Sequence, residues 1–435
     1  MGNHHFVREC RIEVSSEEVF RWHARPGAFE RLNPPWEPVR VLSRTGSIHD
    51  GDELVIGIPA GPFTKRWLAR HSDTIDGEQF RDTQISGPFH QWVHTHRFES
   101  IDDTSTLLKD DIDLTLPLSP VSDWIGWELF EKKLDRMFAY RHRITKGDLE
   151  RHAALAPPTP LTFAVVDPDG IVGSALVPYL STGGHRVLRV VPEHRLEEDP
   201  SDQLDVPRVR CDERSLADVD VLIDLTYAGP DDGATVFLCS VHGWKRRPPV
   251  IITASTGTDL GEHGDELLDD SDSSGKPTHD GNGARSLQEK GTRVVNLRMG
   301  MVLTPTDGVL KQLGRGFRGG AKGARDWRER WWSWIGLDDA LDAILYAATN
   351  EELSGAVNVV APEPTKGREF VETLCGLQWS AGLTPLSFVN RWRTCPGGRQ
   401  LATSARLAPS RLTQAGFNYR TPTLEATLRH LLGCV

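Results

Sequence analysis

Between Ala153 and Pro160 the chain reads Ala-Ala-Leu-Ala-Pro-Pro-Thr-Pro, and the apolar pattern differs in kind on its two sides. Three prolines in eight residues stop an incoming helix and stiffen the connection, because each fixes φ and lacks an amide hydrogen. Upstream, Ser15-Ser16-Glu17-Glu18 reads as the start of a short helix carrying Val19, Phe20 and Trp22. Strand-like segments follow at 53–58, 64–71, 80–86, 91–98 and 106–116. From Trp124 to Ile144 the period changes, and Trp127, Phe130, Leu134, Met137, Phe138 and Ile144 share one helical face. Several strands closed by one long helix predict an α+β unit, a curved antiparallel sheet wrapped around that helix. Downstream, short apolar strands such as Leu161–Val166 alternate with amphipathic helices. That predicts an α/β unit, a doubly wound parallel sheet covered on both faces. The two units are expected to fold separately.

Charge narrows the partners. The net charge is −11, and neither half is basic: residues 1–155 carry 20 basic and 25 acidic groups. Nucleic acid is therefore not an expected partner. The six cysteines are scattered with no C-x-x-C, which argues against a zinc or disulfide framework. No stretch is apolar enough to span a bilayer. The reading is a cytoplasmic protein without a membrane span.

Strand Leu161–Val166 runs into Asp-Pro-Asp-Gly-Ile-Val-Gly and a helix, the setting of a phosphate-binding loop. Gly170 and Gly173 hold the second and third glycine positions, and Asp167 holds the first. A carboxylate at roughly 4–5 Å from a phosphate repels it by about 3–4 kcal/mol at an effective dielectric near 20. After the second strand, Pro192 supplies neither an acid for a ribose nor a cation for a 2′-phosphate, and Glu193 and Arg195 lie just beyond.

Ser255 ends the strand Pro249–Ser255, where a short-chain dehydrogenase keeps its serine. No tyrosine lies between Ser255 and the strand at 293–299, so the usual Tyr-x-x-x-Lys acid/base pair is missing. In its place, Thr256–Thr292 holds nine acidic residues, three basic residues and seven glycines. This composition predicts a solvated surface loop, with at most a short helix near Ala284–Glu289 and few buried contacts. In the first unit, His94 and His96 are two apart on one strand and share a face, with His71 and His90 nearby. No acidic or cysteine ligand joins them at a recognisable spacing, so no metal is expected.

Residues 161–435 resemble the atypical short-chain dehydrogenase/reductase family of NAD(P)-dependent epimerase-like proteins. The resemblance lies in Gly170–Val187, Ala254–Leu268, Val294–Gln312, Trp331–Ala347, Leu353–Leu374 and Ser410–Leu428. Residues 1–150 resemble the START-like (SRPBCC) helix-grip superfamily, through Gly27–Leu42, Ile85–Glu99 and Arg136–Leu149. The resemblance implies a ligand-binding unit at 1–152, a Rossmann-like NAD(P)-binding unit at 161–375 and a small C-terminal domain at 376–435. It further implies cofactor contacts at Asp167, Gly170, Gly173, Arg298 and Gly300, and an active-site Ser255. With the tyrosine absent, Asp259 is the group left to move a proton. The chain departs from the family at Asp167, at Pro192, at Asp259-Leu260 in place of an aromatic pair, and at Gly336 in place of a histidine. The crossover after Asp224-Leu-Thr-Tyr is shortened to about residues 229–248. START-like units hold apolar or amphipathic small molecules, which implies a ligand cup of Trp67, Arg70, Trp92, His94 and His96, with Trp124 and Trp127 beside them. Arg70 is placed to meet an anionic head group. Two functions compete: a ligand-binding or scaffold protein with an eroded cofactor site, and an active NAD(P)-dependent epimerase or reductase.

Overall fold

The computed structural model describes residues 2–37, 39–60, 63–117, 123–196, 202–226, 241–261, 263–272, 281–306, 328–380 and 404–434, with Gly308 and Leu310. Strand β1 (Asn3–Ile12) leads into helices α1 (Ser16–Ala24) and α2 (Ala28–Leu32). Strands β2 (Arg40–Arg44), β3 (Glu53–Ala60), β4 (Phe63–Ile75), β5 (Gln79–Ser86), β6 (Gln91–Asp102) and β7 (Ser105–Thr115) follow, and then helix α3 (Asp123–Ala154). The strands form one sheet ordered β1-β7-β6-β5-β4-β3-β2, every pair antiparallel. The sequence pattern missed β1 and β2. They are the two edges, paired on one side only, and their charged, half-exposed residues blur the alternation. At about 1.5 Å per residue, α3 is roughly 48 Å long. Its Leu134, Phe138 and Ile144 are fully buried against the concave face of the sheet.

The second unit runs β8 (Thr162–Val166), α4 (Gly173–Thr182), β9 (Arg186–Val190), β10 (Arg208–Val209), β11 (Val221–Asp224), β12 (Val250–Thr256), β13 (Leu267–Leu268), α5 (Gly281–Glu289) and β14 (Arg293–Met299). It continues through β15 (Met301–Leu303), β16 (Trp331–Trp332), β17 (Trp334–Gly336), α6 (Leu337–Thr349), β18 (Gly355–Val359), β19 (Thr365–Lys366), α7 (Gly367–Ser380), β20 (Arg406–Leu407), α8 (Ser410–Gln414) and α9 (Leu424–Leu432). Its main sheet is parallel in the order β10-β9-β8-β11-β12-β14-β18. Helices α4 and α6 pack on one face through Leu176, Leu180, Leu341 and Ile344, and Leu287 of α5 packs on the other. This is the Rossmann-like doubly wound arrangement. Most of the crossover expected at 229–248 lies outside the described residues.

The acidic loop differs from its expected form. Leu268 is buried, and β13 pairs with β20. Asp270, 6% exposed, accepts the amide hydrogens of Asn358 and Arg411. Arg298 donates to the carbonyls of Asp270 and Asp272. The loop's first half is thus a packed seam, because a buried carboxylate that satisfies two backbone donors holds a chain that composition alone would leave solvated. The short helix expected near 284–289 is α5, and residues 273–280 lie outside the described residues.

A buried charge network joins the sheet-and-helix unit to the second one. Arg31 of α2 forks onto Asp148 of α3 at 2.8 and 2.9 Å, and reaches Asp338 at the start of α6 at 2.8 Å. Arg420 contacts Asp148 at 2.9 Å and Asp342 at 2.7 and 2.6 Å. Tyr179 of α4 donates to Asp342, Arg151 of α3 reaches it at 3.0 Å, and His430 of α9 meets Asp338 at 2.8 Å. Burial works to raise the Asp338 pKa, but Arg31 and His430 hold it well below the usual carboxylate range. Removing one partner leaves the others buried and uncompensated. Arg31→Met is therefore expected to cost about 3–5 kcal/mol in urea unfolding.

His152 of α3 packs on the first residue after α4, its Nε2 3.1 Å from the Tyr179 carbonyl oxygen. Burial pushes its pKa down to about 3. The unfolded chain, with an ordinary histidine pKa near 6.5, binds the proton first as pH falls. The stability this neutral ring contributes is present above about pH 6.5 and is lost as pH falls toward 3. Between pH 7 and 5 the loss is roughly 2 kcal/mol. His152→Gln should show a correspondingly flatter fall in stability over that range in urea titrations at each pH.

Candidate functional site

Between the concave sheet face, α1, α2 and α3 lies a cavity of about 1630 Å³. The alternation of β4 turns Trp67, Ala69 and His71 inward, and Trp92, His94 and His96 face inward from β6. Phe89 and Phe130 extend the apolar wall, with Trp67 and Trp92 edge-to-face at 5.1 Å. The second unit completes the enclosure: Arg189, Asp202, Leu204 and Arg208 line the cavity, and Gln203 accepts the Arg44 amide hydrogen. Asp202 holds Arg189 at 2.7 Å and Arg208 at 2.6 Å, so this wall is braced by its own ion pairs.

Trp67, Trp92, His94 and His96 line the cavity. Arg70 does not: the sheet alternation points it to the outer face, where it pairs with Glu53 at 2.7 Å. Trp127 stacks on His4 outside the cavity, His90 is exposed beyond it, and the Trp124 side chain lies outside the described residues.

The polar end of the cavity holds groups that the sequence did not connect. Strand register sets His71 opposite Asp82, and Asp82 opposite His94; in the neighbouring row Phe80, His96 and Asp110 align. His94 Nδ1 is 3.1 Å from Asp82, and His94 Nε2 is 2.9 Å from Asp110. His142 of α3 reaches the other Asp110 oxygen at 2.5 Å. Burial opposes charge on His94, yet Asp82 and Asp110 raise its pKa to about 9. Burial, with His96 next, takes neighbouring His23 down to about 3. Spacing along the sequence shows no acidic ligand for the histidines, because Asp82 comes beside them from the adjacent strand. One signal was readable: Asp110 sits in period two with Leu108, Ile112 and Leu114, an acid on an inward face.

At the carboxyl edge of the parallel sheet, Asp167 takes the first glycine position with φ +58°, the left-handed backbone that glycine serves there. A Cβ on Gly170 would come 2.3 Å from the Asp167 carboxylate, and one on Gly173 would come 2.1 Å from the Asp167 carbonyl oxygen. Gly173 thus serves close helix–strand packing. The Asp167 carboxylate lies over Gly170, on the face a pyrophosphate would approach. Burial, with Asp169 next, raises its pKa. Asp224, at the tip of β11, is buried with no partner for Oδ2 among the described residues, its pKa raised by burial and further by Asp167. Arg195, the cation beyond the second strand, pairs with Asp169 at 2.8 Å.

Ser255 donates to the Asn296 side-chain oxygen at 2.9 Å. The Asp259 side chain lies outside the described residues. Arg298 is held by the acidic seam, and a Cβ on Gly300 would strike the Ser333 carbonyl oxygen at 2.6 Å. The Asp167 carboxylate beside Gly170 opposes an NAD(P) pyrophosphate at this loop, and Arg195 is engaged with Asp169.

A START-like helix-grip unit joined to a Rossmann-like unit is the class that this architecture defines. The comparisons agree for both parts. Residues 12–139 match the model of the polyketide cyclase/dehydrase and lipid transport family. An epimerase family protein of Mycobacterium bovis is 27% identical over 292 residues, covering 61% of this chain and 95% of that protein. One from Mycobacterium leprae is 28% identical over 298 residues, covering 61% and 94%. The crystal structure of a nucleoside-diphosphate sugar epimerase from Corynebacterium glutamicum is similar across 98% of this chain and 90% of its own, at 26% identity and a TM-score of 0.72.

Replacing Asp167 with glycine removes the opposing charge and relieves the left-handed turn. Asp167→Gly should strengthen NADPH binding by two to three orders of magnitude, the equivalent of about 3–4 kcal/mol. Nicotinamide fluorescence titrations on both proteins check this.

Proposed function

We propose that the chain is a ligand-binding protein whose occupant, an apolar or amphipathic small molecule, sits in the START-like cavity. The Rossmann-like unit acts as wall and scaffold rather than as an NAD(P) enzyme. In this reading residues 1–152 hold the ligand, 161–375 and 376–435 form the scaffold, and the protein works in the cytoplasm, as fits its scattered cysteines. The observation that carries it is the cavity of about 1630 Å³, with an aromatic wall, a charged end and a lid contributed by the second unit. Pockets for small ligands commonly measure about 300–1,000 Å³, so this one admits a long or polycyclic molecule. Its apolar body would lie along Trp67, Trp92 and Phe130. A polar end would meet Asp82, His94 and Arg141. The carboxylates around Gly170 support the second half of the reading, since they oppose the phosphates the epimerase chemistry would need.

Ala69 lies on the cavity wall between Trp67 and His71. Ala69→Trp should fill the space and weaken binding of anilinonaphthalene sulfonate at least tenfold without lowering the unfolding temperature. Unchanged probe binding, or NADPH-dependent turnover by the wild-type protein, would count against the reading.

A further inference from the structure

We propose that Asp82, His94 and His96 form a mononuclear site for a divalent transition metal at the polar end of the cavity. Their donor atoms all lie within 4.8 Å of one another. Asp82 Oδ2 is 3.1 Å from His94 Nδ1 and 3.5 Å from His96 Nε2. Nitrogen and oxygen ligands bound at about 2.0–2.2 Å are separated by roughly 3.0–3.5 Å along an edge of their polyhedron, so these spacings suit one shared ion.

The far sides of the two rings support the same arrangement. Asp110 lies 2.9 Å from His94 Nε2 and 2.8 Å from His96 Nδ1, and His142 braces it. Behind His94 that carboxylate is hydrogen-bonded to Nε2, which fixes the ring and leaves Nδ1 to the metal. His96 shows that the protein's own groups do not complete the network. The ring is 8% exposed, its Nδ1 sits off the hydrogen-bonding line to Asp110, and its Nε2 is at the outer limit of a hydrogen bond to Asp82. His71 lies opposite Asp82 in the register and also faces the cavity, its buried Nδ1 without a hydrogen-bond partner among the described residues. An ion held by two imidazoles and one carboxylate keeps positions open toward the cavity, where a bound molecule or water can enter. Imidazole and carboxylate donors favour zinc or ferrous iron over magnesium.

The inference shares its cavity with the ligand reading but does not require an organic ligand. The test uses the full chain after chelator treatment and dialysis. Zinc and anaerobic ferrous iron are titrated separately with metal analysis, magnesium serves as the contrast, and cobalt(II) reports the ligand field in the visible. One zinc or iron per chain is expected, with no magnesium retained. Asp82→Asn and His96→Gln should each weaken binding at least a hundredfold and change the cobalt spectrum. Asp110→Asn, which keeps all three ligands, should weaken it about 10–100-fold. Near-ultraviolet circular dichroism of each apoprotein checks folding, and His94→Gln stands in if either variant fails. Lack of stoichiometric binding by the wild-type protein overturns the proposal. So does full binding in Asp82→Asn with loss in His5→Gln, which would put the metal on the exposed amino-terminal histidines. Anilinonaphthalene sulfonate binding to the metal-free protein is read separately, so failure of the metal site and failure of the ligand reading remain distinct.

Discussion

Arg31 and Arg420 hold the molecule together from within. Between them they neutralise Asp148 from the long helix and Asp338 and Asp342 from the start of α6, all with buried side chains. Buried charges are tolerable only while every partner is present, so the two units are fixed in one relative orientation. Neither unit contains the whole set: Arg31 and Asp148 lie before the proline segment, and Asp338, Asp342 and Arg420 lie after it. The last turns of α3, which the apolar pattern did not include, run past Ile144 to deliver Asp148, Arg151 and His152 to this junction.

That orientation makes the cavity what it is. A helix-grip sheet alone leaves its mouth open to solvent. Here residues 202–208 of the second unit cover it, braced by Asp202 between Arg189 and Arg208. Just after β9, Arg195 stays at the phosphate loop, paired with Asp169, and it is the residues leading into β10 that face the neighbouring unit.

Charge is distributed differently at the two candidate sites. At the polar end of the cavity, Asp82 and Asp110 each have a histidine within reach, and burial sharpens the pairing. At the phosphate loop, burial and Asp169 raise the Asp167 pKa, burial and Asp167 raise that of Asp224, and Arg195 is paired with Asp169. The first arrangement pairs opposite charges, whereas the second sets carboxylates near one another.

The sequence by itself determined the two architectures and the division at the prolines. Both rest on local periodicity: alternation along Gln91–Phe98, a helical stripe from Trp127 to Ile144, and short apolar strands between helices. It also determined that Asp167 stands at the first glycine position and that no tyrosine lies between Ser255 and Arg293, both visible without coordinates. Only the tertiary structure decided which residues meet. Arg70 looked like a cup residue until alignment of the strands sent it outward. Asp82 looked unrelated to His94 until antiparallel pairing set them side by side. Asp270 looked solvated until two backbone amides from distant segments closed on its carboxylate. Register and long-range burial are properties of paired strands and packed layers, and no single segment carries the information that sets them.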